Sequence, residues 1–268
     1  MFHDDVAVLQ LDNGKANALN PELLQTLSTG LDAFDESSGR ALVLTGYDRF
    51  FSAGLDLVTL RALDRGAMGA FMGSFDVILG RLFRCPRPVV AAVNGHAVAG
   101  GCVLANQADW RVLAEGNKVK YGTNETQLGV GLPPGALPAS RQNYGPEATV
   151  RGFLLGELFR PDQALELGLV HELAPPAEVL PRALEFAERL AAVPPLAFAQ
   201  VKEGLQGSPP SSQAHKPILE RWLDTWFSDA TGKMPPAVRR SSVGSFCPRT
   251  TRRWMTRALW TCSMATRK

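Results

Sequence analysis

The chain alternates short apolar runs with longer stretches in which apolar residues recur every three or four positions. Residues 6–12 (VAVLQLD), 40–46 (RALVLTG) and 88–94 (PVVAAVN) have the length and composition of strands. Pro21 opens a helical pattern that continues over residues 22–37. This alternation of strands with helices predicts an α/β fold.

Two of the predicted strands lead through glycine-containing turns into helical patterns. Residues 40–46 continue through YDRFFSAG into LDLVTLRAL, and residues 88–94 continue through NGHAVAGG into CVLANQADW. The first N–H groups of a helix have no partner within the helix, and the helix dipole favours negative charge at that end. Two such units side by side would aim two sets of N–H groups at one point, which predicts a site for an oxyanion.

The rest of the chain is mainly helical in pattern until the C-terminal tail. Further helices are predicted near 67–84, 133–155, 161–167, 177–206 and 213–228. We expect residues 1–190 to form a core with the active site and residues 191–229 to form a C-terminal helical region. Residues 230–268 contain no acidic residue and no apolar stripe, so we predict a disordered or aberrant tail. An out-of-frame coding sequence would give such a composition.

Composition and charge distribution argue against nucleic-acid and membrane partners. Of the 28 Lys and Arg residues, nine lie after Asp229, whereas all 26 Asp and Glu lie at or before it. The first 229 residues therefore carry a formal charge of −7, and a basic tail on an acidic body is a weak signal for nucleic acid. The sequence shows no run of about eighteen apolar residues. We expect neither partner.

Motifs of several other enzyme classes are missing from the sequence. The four Cys and four His residues are scattered, so we predict no disulfide framework and no metal site. GVGLPPG at 129–135 resembles a dinucleotide loop, but its third glycine is misplaced and two prolines fill the turn. The phosphate loop and the serine nucleophile elbow are absent. The N-terminus has no targeting pattern, which predicts the cytoplasm of a prokaryote, or a mitochondrial matrix after removal of a targeting segment.

Three motifs carry candidate chemistry: FSAGLDL at 51–57, NGHAVAGGC at 94–102 and NETQLG at 124–129. Their order and spacing resemble the crotonase superfamily of enoyl-CoA hydratases and isomerases over roughly residues 5–229, and ALELGLV at 164–170 matches as well. NETQLG is the most specific motif and is similar to that of mitochondrial-type Δ3,Δ2-enoyl-CoA isomerases. The resemblance implies a ββα spiral core, an acyl-CoA substrate and a homo-oligomer built as a trimer or a dimer of trimers.

The resemblance also implies roles for individual residues. Glu125 would be the catalytic base, and the N–H groups of Ala53 and Gly100 would bind the thioester oxygen. The substrate path would be lined by Ser52, Ala53, Gly54, Leu55, Asp56, Leu57, Gly100, Val103 and Asn124. No separate cofactor is implied, because CoA is part of the substrate.

A single glutamate suits a proton shift next to a thioester. Loss of the C2 proton from a 3-enoyl-CoA gives a dienolate, and the same carboxylate can return the proton to C4. The hydratase branch has a second glutamate one helical turn after the oxyanion glycine, where this chain has Val103. The sequence therefore favours an isomerase. The alternatives are another crotonase-type enzyme such as a hydratase, or a non-catalytic acyl-CoA-binding or RNA-associating homologue.

Overall fold

The computed structural model describes residues 2–3, 5–207 and 212–227, so the predicted tail at 230–268 lies outside the described residues. The strands form two sheets, within which neighbouring strands are parallel except for the first pair. The larger sheet has the order β1 (Phe2–His3), β2 (Val6–Gln10), β3 (Ala41–Thr45), β5 (Val89–Val93), β7 (Trp110–Ala114), β9 (Glu172–Ala174). The smaller sheet has the order β4 (Phe50–Ser52), β6 (His96–Val98), β8 (Tyr121–Gly122).

The chain passes repeatedly from the larger sheet to the smaller sheet and then into a helical segment. β3 is followed by β4, β5 by β6 and β7 by β8, and each short strand runs into a turn that begins a helix or a helical turn. This repeat confirms the predicted α/β fold with a crotonase-like ββα spiral core. The sequence predicts turns where β4 and β6 lie, because strands of three residues are too short to show a period of two.

Ten helices lie within the described residues. They are α1 (Pro21–Glu36), α2 (Leu57–Leu60), α3 (Arg65–Phe83), α4 (Gly100–Ala105), α5 (Ala136–Asn143), α6 (Pro146–Ala148), α7 (Pro161–Glu166), α8 (Val179–Ala191), α9 (Pro195–Gln206) and α10 (Ser212–Trp226). Short 3-10 turns at Lys15–Asn17 and Glu125–Leu128 and a π-helical turn at Thr149–Leu154 complete the helical segments.

Several predicted helices are shorter than the sequence pattern suggested. The helix predicted over 177–206 is two helices, since Pro194 and Pro195 supply no backbone N–H to continue α8. The helix predicted over 133–155 is broken after α5, where Gly145 and Pro146 begin a new turn. The helix predicted from LDLVTLRAL ends as α2 after one turn.

The larger sheet is buried on both faces, which explains its almost wholly apolar central strands. One face packs against α8, whose buried residues recur every four positions at Val179, Ala183, Ala187 and Ala191. The other face packs against a core formed with α1, α3 and the smaller sheet. The smaller sheet therefore packs between the larger sheet and the helices. This packing sets the positions of the turns that follow its strands.

Helix α3 is long and apolar enough, by length and a mean hydropathy of 1.2, to cross a membrane. Its Met68, Met72, Phe75 and Leu79 are buried in the core cluster that also contains the inner face of α1. The core helix of a globular protein can have the same length and hydropathy, and the burial of these side chains is typical of a core helix.

Candidate active site

The turns after β4 and β6 pack backbone against backbone. Gly54 has φ +88°, and a Cβ there would lie 2.8 Å from Ala99 Cβ and 3.0 Å from Gly100 N. A Cβ on Gly101 would lie 2.2 Å from the carbonyl O of Ser52. Only glycine fits at either position. At Gly54 both the positive φ and the lack of space exclude a side chain, whereas at Gly101 the lack of space alone excludes it. The structure therefore brings together the two glycine turns that the sequence singled out.

Ala99 caps α4 in a conformation that residues with a side chain rarely adopt. Its φ is +51° and its ψ is −128°. Its N–H donates to the carbonyl O of Gly122 at 2.9 Å, and its carbonyl O accepts from the N–H of Val103 at 3.0 Å. Strained backbone of this kind costs about 1–3 kcal/mol and is concentrated at functional sites. The hydrogen bonds to β8 and α4 hold the strained turn in place.

The N–H of Ala53 is not available to a substrate. It donates to the carbonyl O of Ala16 at 3.0 Å, so the prediction that Ala53 binds the thioester oxygen is wrong. Leu55 is two residues further along, and its chain neighbours Gly54 and Asp56 are both hydrogen-bonded to Leu19. The N–H of Leu19 donates to the carbonyl O of Gly54 at 2.7 Å, and its carbonyl O accepts from the N–H of Asp56 at 2.9 Å. The N–H of Leu55 itself has no hydrogen-bond acceptor within the described part of the chain.

Gly100 supplies a second free N–H close to that of Leu55. Gly100 is the first residue of α4, and its N–H has no acceptor among the residues that the structure describes. A Cβ on Gly100 would lie 3.7 Å from Leu55 Cδ2, so the two residues are neighbours. Two preorganised N–H donors at adjacent turns can receive one oxygen atom on which negative charge develops.

Ser52 and Asp56 hold the first turn together. Ser52 is fully buried and its hydroxyl donates to the carbonyl O of Asn17 at 2.7 Å, so the prediction that it lines the substrate path is wrong. Asp56 Oδ1 caps α2 by accepting from two backbone N–H groups at 3.1 and 3.2 Å. Leu55 and Leu57 are half-buried and present side chains that can line an open path.

Asn17 is an organising residue that the sequence analysis did not single out. It is fully buried with φ +46°, and its Nδ2 donates to the carbonyl O of Leu11 at 2.9 Å and lies 3.3 Å from the carbonyl oxygens of Phe50 and Phe51. Its Oδ1 accepts from the N–H of Asn13 at 2.8 Å. Asn17 thereby ties the loop before α1 to β4. The turn-rich NGKANALN was its only signal in the sequence.

Glu125 opens the 3-10 turn that follows β8. Its Oε2 is buried and has no hydrogen-bond partner within the described residues, although the residue as a whole is half-buried. Burial raises the pKa of the Glu125 carboxyl to about 7, and the backbone N–H groups of Glu125 and Asn124 partly oppose this rise. The Oδ1 of Asn124 is also buried without a partner among these residues. A carboxyl with a pKa near neutrality can both accept and donate a proton.

The turn around Glu125 is fixed by its neighbours. Gly129 closes it with φ +75°, a left-handed conformation that favours glycine. The side chains of Thr123 and Gln127 each donate a hydrogen bond of 2.9 Å to a carbonyl oxygen within or just after the π-helical turn. The NETQLG motif therefore specifies a rigid turn as well as an acid.

The carboxyl of Glu125 lies near enough to Cys102 of α4 for its charge to act on the thiol. Val103, one helical turn after Gly100, is only 1% exposed, and Cys102 is fully buried. Burial raises the pKa of the Cys102 thiol to about 12, and the nearby negative charge of Glu125 contributes to that rise. The thiol therefore stays neutral. The position at which hydratases have a second glutamate is filled here by a hydrocarbon side chain.

Helix α10 covers the loop that leads away from Glu125. The indole Nε1 of Trp222 donates to the carbonyl O of Gly131 at 2.7 Å, and the N–H of Gly131 donates to Thr225 Oγ1 at 3.0 Å. Arg65 at the start of α3 pairs with Glu220 at 2.9 Å and with an Asp on the next turn at 2.8 Å. The C-terminal helical region thus contacts the active-site segment.

Two cavities follow the groove between α1 and α3. Their volumes are about 430 and 540 Å³, and both are bordered by Val77. The larger begins at Pro21, two residues after Leu19. Neither cavity is lined by Glu125 or Gly100, so neither of them contains the candidate active site.

The fold agrees with comparisons to known proteins. The sequence matches the enoyl-CoA hydratase/isomerase family over residues 1–220. The chain is similar to the solved structure of human mitochondrial Δ3,Δ2-enoyl-CoA isomerase, with a TM-score of 0.77 and 28% identity over 85% of this chain and 90% of that one. These matches define a crotonase-fold acyl-CoA enzyme, and the protein belongs to the enoyl-CoA hydratase/isomerase family.

Curated relatives include both isomerases and hydratases at similar identity. Human mitochondrial enoyl-CoA delta isomerase 1 is 33% identical over 192 residues, which is 70% of this chain but only 63% of the human protein. The 2,3-dehydroadipyl-CoA hydratase of Escherichia coli is also 33% identical, over 76% of this chain and 79% of the hydratase. Overall similarity therefore assigns the family and leaves the choice of reaction to the active-site residues.

Proposed function

We propose that the protein isomerises 3-enoyl-CoA thioesters to 2-enoyl-CoA thioesters in fatty acid oxidation. The observation that carries this proposal is the carboxyl of Glu125, whose Oε2 is buried without a hydrogen-bond partner within the described residues and whose pKa is raised to about 7 by burial. Leu55 and Gly100 are the proposed donors to the thioester oxygen, with Leu55 replacing the Ala53 of the sequence-based prediction.

The proposed reaction moves one proton between two carbons. Ionised Glu125 removes a proton from C2, and the electron pair delocalises into a dienolate whose charge rests mainly on the thioester oxygen. The N–H groups of Leu55 and Gly100 stabilise that charge, and each such donor typically contributes about 2.7–4 kcal/mol. Protonated Glu125 then returns the proton to C4, which leaves the double bond between C2 and C3. No water and no further acid is consumed.

Hydration is the competing reaction, since hydratases are among the relatives. It requires a water molecule that is oriented and deprotonated while a proton reaches the neighbouring carbon. Val103 offers neither a hydrogen bond nor a proton at the position of the second hydratase glutamate. An apolar wall at that position favours a dry pocket and disfavours hydration.

The substrate and assembly are part of the same proposal. We propose that the protein binds acyl-CoA thioesters and works as a homo-oligomer, either a trimer or a dimer of trimers. Support comes from the large apolar side chains of Leu154 and Leu155, which are 67% and 54% exposed close to the Glu125 turn. Such neighbouring exposed leucines suit an interface between subunits.

The deciding experiment follows the absorbance of the conjugated thioester with two substrates. A 3-enoyl-CoA should gain this absorbance as it is isomerised, and a 2-enoyl-CoA should lose it only slowly by hydration. Glu125→Gln should lower isomerisation at least about a hundredfold. The matched control is Glu115→Gln, because Glu115 is exposed after β7. Near wild-type turnover in Glu125→Gln, or hydration as fast as isomerisation, would reject the proposal.

A further inference from the structure

A cluster of four buried polar side chains lies behind the active site and has no part in the reaction described above. Tyr121 Oη donates to Asn106 Oδ1 at 2.6 Å, and Asn106 Nδ2 donates to Tyr144 Oη at 2.6 Å. Cys102 Sγ lies 3.7 Å from both Asn106 Nδ2 and Tyr144 Oη. All four residues are buried. The amide of Asn106 therefore accepts a short hydrogen bond from Tyr121 and donates another to Tyr144.

The cluster joins the two segments that carry the active site. Asn106 ends α4, the helix that begins with Gly100. Tyr121 belongs to β8, four residues before Glu125, and Tyr144 follows α5. Asn106 therefore fastens both ends of the chain segment 121–144 to the same helix.

The backbone of Asn106 strengthens this connection. Its carbonyl O accepts from Asn143 Nδ2 at 2.8 Å, so three hydrogen bonds connect this one residue to the segment that carries Glu125. Burial raises the pKa of Tyr121 and of Tyr144 well above the ordinary value, which keeps both hydroxyls protonated, so Tyr121 can donate to Asn106 while Tyr144 accepts from it. Hydrogen bonds in such a low-dielectric interior constrain geometry strongly.

We propose that Asn106 is a positioning residue that sets the distance between the Gly100 N–H and the Glu125 carboxyl. It acts through α4 and through the two tyrosines, and it does not touch the substrate. The inference rests on the proposed function, since it assigns the two groups to the thioester oxygen and the migrating proton. Catalysis needs both groups at fixed separation, because a displacement of about 1 Å can cost a hundredfold in rate.

Tyr121→Phe and Tyr144→Phe test this role with little change in packing. Each removes one hydroxyl from the network and keeps its ring. We expect kcat for isomerisation to fall at least about tenfold while KM changes less than about threefold, because the substrate still binds but its reacting groups are misaligned. The apparent pKa of the rate profile should shift as well, since the Glu125 carboxyl changes its surroundings.

Thr45→Val is the matched control. Thr45 Oγ1 also makes a buried hydrogen bond, to the carbonyl O of Ala92 at 3.1 Å, but it joins two strands of the larger sheet. The control should lose thermal stability like the tyrosine variants and keep its kcat. If Thr45→Val loses as much kcat as Tyr121→Phe, or if the tyrosine variants keep kcat within about twofold, the positioning role is wrong.

A spectroscopic measurement separates this inference from the proposed function. Hydrogen bonds to the thioester oxygen polarise a bound 2-enoyl-CoA and move its absorbance to longer wavelength, without any turnover. The wild type and Thr45→Val should show this shift, and the tyrosine variants should show a smaller one. A wild type that shows the shift but no isomerisation refutes the proposed function alone. Equal shifts in all four proteins refute the positioning role alone.

Discussion

Trp222 near the end of the described chain is hydrogen-bonded to Gly131, six residues after Glu125. The indole Nε1 donates to the carbonyl O of Gly131 at 2.7 Å, and the N–H of the same glycine donates to Thr225 on the next turn of α10. Both backbone groups of Gly131 are therefore satisfied by α10. Helix α10 therefore holds the chain just after the turn that carries Glu125, although 91 residues separate the two bonded residues in sequence.

Trp222→Phe should weaken this contact. Loss of the indole N–H leaves the carbonyl O of Gly131 without its donor, which we expect to lower the free energy of unfolding by about 1–3 kcal/mol. The KM for the acyl-CoA should rise, because the loop after Glu125 loses its anchor. Urea denaturation and initial rates measure the two effects.

Trp110→Phe is the control for that variant. Trp110 Nε1 is also buried but has no hydrogen-bond partner within the described residues, and its ring stacks between His171 and Phe186. Phenylalanine makes the same change from an indole to a smaller phenyl ring as in Trp222→Phe, but at this position no hydrogen bond is lost. A loss of stability as large as that of Trp222→Phe would show that the indole hydrogen bond contributes nothing specific.

The pH dependence of the rate should follow Glu125. Its pKa is raised to about 7 by burial, and only the ionised carboxyl can take the C2 proton. We expect kcat/KM for isomerisation to rise with pH and to level off above about 7. Initial rates between about pH 5 and 9 test this. A profile that levels off near the ordinary glutamate value, about pH 4 to 5, would mean that the carboxyl is solvated before the substrate binds.

The same shift should make Glu125 a cost to stability at high pH. The ordinary pKa of 4.5 that Glu125 has in the unfolded chain lies below its folded pKa of about 7, so the folded protein loses stability as pH rises from about 4.5 to 7. The difference corresponds to about 3 kcal/mol. Glu125→Gln should therefore be more stable than the wild type at about pH 8, and the advantage should vanish near pH 4.5. Urea denaturation at both pH values measures it, and an equal effect at both would exclude ionisation as the cause.

Neighbouring glycines at the start of α4 should respond differently to alanine. In Gly101→Ala the new Cβ would lie 2.2 Å from the backbone O of Ser52, which cannot move without breaking the turn after β4. We expect this variant to unfold or to lose all activity. In Gly100→Ala the nearest atom is Leu19 Cδ1 at 2.9 Å, the end of a flexible side chain, so the protein should fold. Circular dichroism and thermal melting of the pair decide this, and equal stability would contradict the packing argument.

The sequence was sufficient for β2, β3 and β5 of the larger sheet and for the spiral core, and the reasons are physical. Central parallel strands are buried on both faces, so they appear as continuous apolar runs. Glu125 lies in a motif whose glycine has the left-handed conformation that the turn needs. The smaller sheet was missed because its strands have two or three residues, too few for a periodic pattern.

Which N–H groups are free to serve as the proposed oxyanion donors could be decided only from the three-dimensional structure. Sequence places Ala53 and Leu55 equally well in the glycine turn. Which N–H is free depends on the hydrogen bond that Ala53 donates to Ala16 and on those that Leu19 makes with Gly54 and Asp56, all between residues more than 30 positions apart. The cluster around Asn106 was likewise not predicted, because its members are separated by up to 42 residues and only Cys102 belongs to a motif. Long-range pairing of this kind leaves no local pattern to read.

The smaller sheet sets the spacing between Leu55, Gly100 and Glu125. Leu55, Gly100 and Glu125 each lie two or three residues beyond the end of β4, β6 and β8, and these strands are adjacent in that order. Adjacent strands are about 4.8 Å apart, so the spacing of the sheet sets how far the acid can reach from the thioester oxygen. That reach covers the first few carbons of an acyl chain. If the protein isomerises enoyl-CoA thioesters as proposed, a double bond that begins several carbons further along should stay where it is, because the backbone geometry of the smaller sheet limits which carbons the acid can reach.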